Sequence, residues 1–592
     1  LLNFSGGTTT LDRTVLGLFD GPSGGAAIIH EGMVLAMAEE DRLIRRHRVS
    51  GLPRASVQCV LKQTGVRSSE VMAVLVATRE ATYAEGVGSG RTPFLVRVAK
   101  AANSSEPISR MIRVSFAGSR RRRVDEALRS EFGFSCPILF LDHHLAHAAG
   151  AAFAAGLSDC LAITMDGGAD GAWATITSFE RGRPQLLARE TGPYSLLHFL
   201  EDVCDKLDIP DGIDRFRRLE GFSKQGDPIF QDRFQSLFRI RDGRVHVSDG
   251  MLGNGGPLAR IPHPAHREVL AASAIRAVGE AVREVARYWI ERSKHSHIVL
   301  GGDLFEICPV VRPVLECAES RSVHLPPSPG DDGLALGAAF AACLPGFLSD
   351  PLPIPAQPLS SPFLGISYED DLLEPTLASE GLDFRKSPHI EREIGRVLAE
   401  GKSVAHFHGR TELGNSSLGN RSVLRSPLGR LRSGQVSFVL APNYYHALVP
   451  LDAFHSLFED EGIRPENLLA APMPCIPLPR FHEQCPDIVG PRGRVKVQTL
   501  TVESNPRLFK ILREFELWTG LPCLAVAPFR LPDEPLVSTP LHALRIFRIL
   551  GADFAAFGSF LARAISPVPG PLDPPETEPL SKRNRVRERI RP

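Results

Sequence analysis

The segment Leu141-Asp142-His143-His144-Leu145-Ala146-His147-Ala148-Ala149 holds a dense set of residues able to do chemistry. Its alanines favour a helix, and on a helix His143 and His147 share one face, their Cβ atoms about 6 Å apart. Two imidazoles so placed can converge on one cation. His144 points roughly 100° away and need not be a ligand. The spacing alone is weak, because core or surface histidines also recur at four residues. Carboxylates strengthen it: MDGGADG (165–171) follows closely, and PGDDGLALGAA (329–339) lies far downstream. Two histidines with carboxylates suit a redox-accessible divalent ion such as Fe(II), with Mn(II) or Zn(II) as alternatives. Open positions on such an ion would let a substrate oxygen bind and be polarised.

Three glycine-rich loops share a grammar of strand, acidic residue and small residues: DGPSGGAA (20–27), DGGADGAW (166–173) and GGDLFE (301–306). Glycines let a backbone approach phosphates and aim its N–H groups at them. Three such loops in this order, two of them on hairpin-like strands, point to the duplicated nucleotide-binding fold of actin, sugar kinases and Hsp70.

The elements that must position these residues follow from pattern. Short apolar runs ending in Gly or Asp predict buried strands whose loops carry chemistry: TVLGLFDG (14–21), CPILFLD (136–142), CLAITMDG (160–167) and HIVLGGD (297–303). LPGFLSDPLPIPAQPLSSPF (344–363) resists helix and sheet and divides the chain. Beyond it KSVAHFHG (402–409), RVKVQTLTV (494–502) and PCLAVAPF (522–529) predict strands, and PLHALRIFRILG (540–551) a helix. These patterns predict domains at 1–345 and 376–565, a linker at 346–375 and a basic, disordered tail at 566–592. The run Arg120–Arg123 predicts a solvated face.

The 592 residues are ample for several cores. With 43% hydrophobic and 23% charged residues, the composition is neither that of a disordered chain nor that of a membrane protein. Lys+Arg and Asp+Glu balance at 68 each, which gives no general drive toward nucleic acid or anionic lipid. Ten scattered cysteines without a CxxC pair predict buried thiols rather than a zinc ribbon or disulfide framework. With no apolar run of about 18 residues and no leader-like start, a cytoplasmic protein without nucleic-acid or membrane partners is expected.

The ordered set LGLFDGPSGGAAIIHEGMVLAMAEEDRLIRRHR, DHHLAHAAGAAFAAG, LAITMDGGADG, VLGGDLFE, PPSPGDDGLALGAAF, GRTELGNSSLGNRSVL, VKVQTLTVESNPRLFKILREFELWTGLP and DEPLVSTPLHAL resembles the carbamoyltransferases of nodulation-factor and antibiotic biosynthesis. That family includes the tobramycin, cephamycin and novobiocin carbamoyltransferases, and the resemblance runs to about residue 565. It implies an α/β protein with an N-terminal ASKHA-type domain and a C-terminal YrdC-like domain. The YrdC-like half would react carbamoyl phosphate with ATP and Mg to give carbamoyladenylate and pyrophosphate. The N-terminal half would transfer the carbamoyl group to a hydroxyl of a small natural-product acceptor. A homodimer is a family-level expectation.

Carried over by motif, the resemblance implies metal ligands His143, His147, Asp166 and Asp331, and catalytic roles for Asp20 and Asp166. It implies nucleotide contacts at His47, Gly167, Gly168, Gly301, Gly302 and Glu306. The YrdC-like site would comprise Glu412, Asn420, Arg421, Lys496 and Arg530. The chain also departs from the family pattern. Pro22 stands where a base histidine is expected, His47 replaces a lysine, and Phe305 and Glu306 replace Leu and Asn. Ser416 replaces an arginine, and Val526–Arg530 replaces NTSFN. A second reading follows: a divergent homologue whose YrdC-like half uses another donor or serves a biosynthetic assembly without catalysis. A third, a small-molecule kinase, leaves the histidine pair unexplained.

Overall fold

A computed structural model describes residues 13–79, 106–192, 194–247, 266–318, 321–359, 361–428, 445–458, 473–477, 485, 488 and 494–563. The basic tail at 566–592 lies outside the described residues.

The N-terminal strands are β1 (Thr14–Phe19), β2 (Gly25–His30), β3 (Met33–Glu39), β4 (Val71–Ala77) and β5 (Ile138–Leu141). They continue with β6 (Cys160–Ala169), β7 (Ala172–Glu180), β8 (Arg183–Glu190), a hairpin of β9 (Phe238–Arg241) and β10 (Arg244–Val247), then β11 (His297–Gly301) and β12 (Ser322–His324). One sheet runs β3-β2-β1-β4-β5 and the other β8-β7-β6-β11-β12. In each, the first three strands form an antiparallel meander and the last two join the first strand in parallel. Order and direction match strand for strand. This is the duplicated ASKHA-type fold.

Each repeat sends a helix back from its fifth strand. These are α1 (His143–Ala154) and α2 (Leu334–Phe340), the latter preceded by a 3-10 turn at Asp331–Gly333. Asp142 caps α1 by accepting the Leu145 amide at 3.1 Å. The two helices meet in an apolar layer that both sheets cover, with Val15, Leu75, Ala162 and Val299 on its walls. Covered on both faces, β1 reads as a continuous apolar run rather than an alternating one. Small residues set the helix spacing. A Cβ on Gly337 would lie 2.2 Å from the Ala146 carbonyl oxygen, and one on Gly150 would lie 3.1 Å from the Gly337 Cα.

The C-terminal strands are β13 (Asp383–Lys386), β14 (Val404–Phe407), β15 (Arg421–Arg425), β16 (His446–Pro450), β17 (Met473–Pro477), β18 (Arg494–Leu500), β19 (Leu524–Pro528), β20 (Phe554–Phe557) and β21 (Phe560–Arg563). Among the described residues they form one mixed sheet, β13-β21-β20-β14-β15-β19-β16-β18-β17. Helices α3 (Ile390–Ala399) and α4 (Pro506–Thr519) cover one face through Ile394, Leu398, Ile511 and Phe515. The Pro-rich stretch lies against the N-terminal repeats, with Ile354 over Gly182, and a helix, Asp370–Ser379, starts inside the segment read as linker.

Two arginines overturn or redirect expectations. Arg120, read as part of a solvated face, is buried, and its Nε donates to Asp20 at 2.8 Å in a two-pronged ion pair. The helix face it occupies looks inward onto the end of β1, while Arg121–Arg123 are exposed. Arg530, after β19, pairs with Asp214 of the N-terminal half, its guanidinium nitrogens reaching both carboxylate oxygens at 2.8 and 2.5 Å. Burial opposes ionisation of Asp214, but Arg530 outweighs it and holds the carboxyl well below its usual range. Arg42 adds bonds to the carbonyls of Glu412 and Gly414, and Glu39 accepts the Gly414 amide at 2.9 Å.

Removing one partner of a buried ion pair leaves the other charge uncompensated. Asp214→Ala is expected to lower stability by about 3–5 kcal/mol. Asp214→Leu with Arg530→Met should recover most of that loss in denaturant melts; a surface-like effect below about 1 kcal/mol would mean the pair is solvated.

Candidate metal centre and interdomain cavity

Asp166 lies within the C-terminal part of β6, His143 and His147 occupy the first turns of α1, and Asp331 opens the turn before α2. The duplication thus brings three chain segments to one point. Among the described residues, ligand atoms of these four side chains all lie within 4.8 Å of one another. The Nε2 atoms of His143 and His147 are 3.1 Å apart. Asp166 Oδ2 lies 3.1 Å from His147 Nε2 and 3.6 Å from His143 Nε2. Asp331 Oδ1 lies 3.4 Å from His143 Nε2 and 3.6 Å from His147 Nε2. A tetrahedron with ligands about 2.1 Å from a central cation has edges of roughly 3.4 Å, so a divalent ion fits the spacing. Asp331 Oδ1 is buried without a hydrogen-bond partner among the described residues, as an oxygen awaiting a cation would be.

The surroundings orient the imidazoles. Thr78 Oγ1 lies 3.1 Å from His143 Nδ1, which leaves Nε2 to face the carboxylates. Asp170 accepts the His143 amide at 2.8 Å and fixes the start of α1. His144 turns away: its Nδ1 lies 2.8 Å from Thr164 Oγ1, and burial beside His143 pushes it down to about 3, so it stays neutral. Burial opposes charge on His143, but Asp331 and Asp166 outweigh it and push its pKa up to about 9. Burial likewise opposes ionisation of Asp166, yet bonds from both imidazoles hold it well below the usual carboxylate range.

The other sequence-derived positions separate into groups. Asp20 occupies in the first repeat the place of Asp166 in the second, but it faces Arg120 and does not join the four. Gly167 and Gly168 continue β6 beside Asp166. Gly301 and Gly302 press against the centre from β11. A Cβ on Gly301 would lie 3.2 Å from His147 Cβ, and Gly302, at φ +103°, could carry one only 2.0 Å from the Met165 carbonyl oxygen. His47 lies 3.1 Å from Asp41.

In the C-terminal half, Glu412 accepts the amides of Leu418 and Arg421 at 2.9 and 3.0 Å. Asn420 donates to the Arg410 carbonyl at 2.8 Å and accepts from Asn505 at 2.9 Å. Arg421 lies over the Phe407 ring and donates to the carbonyls of His408 and Gly409 at 2.7 and 2.9 Å. These three residues brace one turn. Lys496 pairs with Glu220, and Arg530 with Asp214.

Lys496 and Glu306 meet at a cavity of about 110 Å³ between the halves. Arg217 and Glu220 line it from the N-terminal side, Ser417 and His446 from the C-terminal side. Glu306 connects it to acids that sequence reading did not single out. Burial, with Asp166 and Asp331 nearby, raises Asp303 well above its usual range; burial, with Asp332 and Asp303 nearby, does the same to Glu306. The acidic letters of GGDLFE were the available signal, but only the pairing of β11 with β6 places them beside Asp166.

Residues 395–564 match the family model described as Carbamoyltransferase C-terminus. Nodulation protein NolNO of Sinorhizobium fredii is 24% identical over 596 residues, covering 95% of this chain and 82% of that protein. Nodulation protein NolO of Bradyrhizobium diazoefficiens is 24% identical over 456 residues, covering 72% and 79%. Among solved structures, full-length HypF in its phosphate- and nucleotide-bound form aligns with a TM-score of 0.34 at 11% identity, covering 57% of this chain and 56% of that one. The matched C-terminal model and these relatives support a divergent member of the carbamoyltransferase family.

Proposed function

We propose that the chain transfers the carbamoyl group of carbamoyl phosphate, through carbamoyladenylate made with ATP and Mg, to a hydroxyl of a small natural-product acceptor. Supporting this is the convergence of His143, His147, Asp166 and Asp331 beside a cavity that both halves line. Those four residues would hold a divalent ion, Fe(II) or alternatively Mn(II) or Zn(II). Such an ion would stabilise negative charge developing on the carbamoyl oxygen.

The residues of the chain supply orientation and shelter. Thr78 and Asp170 fix His143, and Gly302 lets β11 close over the end of β6. Passage of a labile mixed anhydride between the halves would require shelter from water, and the cavity lies where the two halves meet. Overall, acceptor, carbamoyl phosphate, ATP and water would give the carbamate ester, AMP, pyrophosphate and phosphate. The acceptor oxygen bonds to the carbonyl carbon as AMP leaves.

One observation favours the second reading. Lys496, Arg530 and Arg421 are already committed to Glu220, Asp214 and backbone carbonyls, so they would have to exchange partners to hold phosphates. Under that reading the C-terminal half takes another donor or supports an assembly without catalysis. Calorimetry on the full chain separates the two: saturable ATP binding strengthened by carbamoyl phosphate supports the first, and no heat with either ligand supports the second.

Incubating the chain with carbamoyl phosphate, ATP and a panel of hydroxyl acceptors should release pyrophosphate and add a carbamoyl mass to one acceptor. No turnover across a broad panel would count against transfer to a small hydroxyl. In a chelator-competition assay, His143→Ala and His147→Ala should abolish tight metal binding, Thr78→Val should weaken it about 10–100-fold, and His144→Ala should change it little. Equal losses for all three histidines would mean that the helix face does not define the site. The metal must displace the His143 proton, so apparent affinity should rise with pH up to about 9. In the metal-free chain, the stability from the raised His143 pKa should be complete below its unfolded value of 6.5 and lost as pH passes through about 9.

A further inference from the structure

Thr78 follows directly on β4 with φ at +79°, in the left-handed region where a β-branched residue is an outlier that only its surroundings can hold. The second repeat makes the same turn. Its fourth strand, β11, is followed by Gly302 at φ +103°, where glycine carries no such penalty. The first repeat therefore keeps a threonine where the second uses glycine, and what threonine adds is a hydroxyl. That Oγ1 is buried and lies 3.1 Å from His143 Nδ1.

Arg120, from the helix Glu106–Phe132, holds this turn from behind. Its Nη1 donates to the Thr78 carbonyl at 2.9 Å and its Nη2 to the Ala77 carbonyl at 3.3 Å. Its Nε donates to Asp20 Oδ2 at 2.8 Å, and Nη2 also reaches Asp20 Oδ1. The two charges offset each other, where a lone guanidinium would repel a nearby dication. One residue on, the Arg79 amide donates at 3.0 Å to the Asp170 Oδ2 that also takes the His143 amide at 2.8 Å. The strained turn is thus tied twice to the start of α1. A planar guanidinium can serve the ends of β1 and β4 together; a lysine ammonium, a point charge, cannot keep the same geometry.

We infer that Arg120 is a positioning residue for the metal centre: paired with Asp20, it holds Thr78 in its left-handed conformation and so aims the Thr78 hydroxyl at His143. Freed of Arg120, Thr78 relaxes toward extended backbone and its hydroxyl leaves Nδ1. The imidazole then loses the bond that sets its tautomer and turns Nε2 toward the cation. The inference rests on the metal reading of His143, His147, Asp166 and Asp331, and its test separates the two.

Co(II), whose visible spectrum reports ligand geometry, is titrated into the full metal-free chain in chelator competition. Arg120→Lys and Thr78→Gly should each lower affinity about 10–100-fold and alter the spectrum of the bound ion. Thr78→Gly relieves the backbone strain, so its melting temperature should hold while its affinity falls, the reverse of what a merely structural role gives. In the double variant the Arg120→Lys loss should vanish, leaving the affinity of Thr78→Gly alone. Unchanged affinity and spectrum in Arg120→Lys, or losses that multiply in the double variant, would overturn the inference and leave the metal site standing. No Co(II) bound by the unsubstituted chain would overturn both. Asp20→Asn with Arg120→Gln removes both charges and leaves neither uncompensated; it is read by the same criteria should Arg120→Lys fail to fold.

Discussion

Gly150 and Gly337 let one helix from each repeat touch nearly backbone to backbone, and the centre depends on that approach. The His143–His147 pair rides on α1 and Asp331 enters just before α2, so the helix separation sets the distance between imidazoles and carboxylate. A methyl group on Gly337 would meet the Ala146 carbonyl oxygen at 2.2 Å and push the helices apart. A shift of about 1 Å is large for a cation whose ligands must lie within roughly 0.2 Å of their preferred distances. The alanine-rich composition of both helices is therefore a geometric requirement as well as a helix-forming one.

A similar constraint holds the two halves together. Asp214–Arg530, Glu220–Lys496 and the Glu39–Arg42 group all sit where N-terminal loops meet the C-terminal sheet. Buried pairs of this kind add little net stability, but they penalise any arrangement that separates the partners. An apolar cluster also runs continuously from β6 and β11 to β14 and β19. Of the cations lining the cavity between the halves, Lys496 is balanced by Glu220 from the opposite half and Arg217 by Asp214 from its own.

The sequence discloses local features well. His143 and His147 are legible because an i,i+4 relation needs only a helix, and the three glycine loops because each lies within a few residues. Features set by pairing over long distances are not legible. Arg120 sits in a run of four arginines, and nothing nearby announces that Asp20, 100 residues away, will bury it. Arg530 reads as an anion contact until the fold delivers Asp214 from 316 residues earlier. Asp303 reads as one acid in a turn; its place against Asp166 follows only from β11 lying in register beside β6.

The repeats also explain why, among the described residues, one such cluster forms although the fold supplies the frame twice. Asp20 follows directly on β1, the first strand of one five-stranded sheet, and Asp166 lies within β6, the first strand of the other. Asp166 meets two imidazoles, whereas Asp20 meets Arg120, which also donates to the Thr78 carbonyl at 2.9 Å. Thr78 in turn holds His143 through its hydroxyl. The first repeat's carboxylate therefore acts on the centre at one remove: it anchors the arginine that braces the residue that aims the imidazole. Pairing Asp20 with Arg120 makes the two repeats asymmetric, with the four-residue cluster gathered around the second repeat's carboxylate alone.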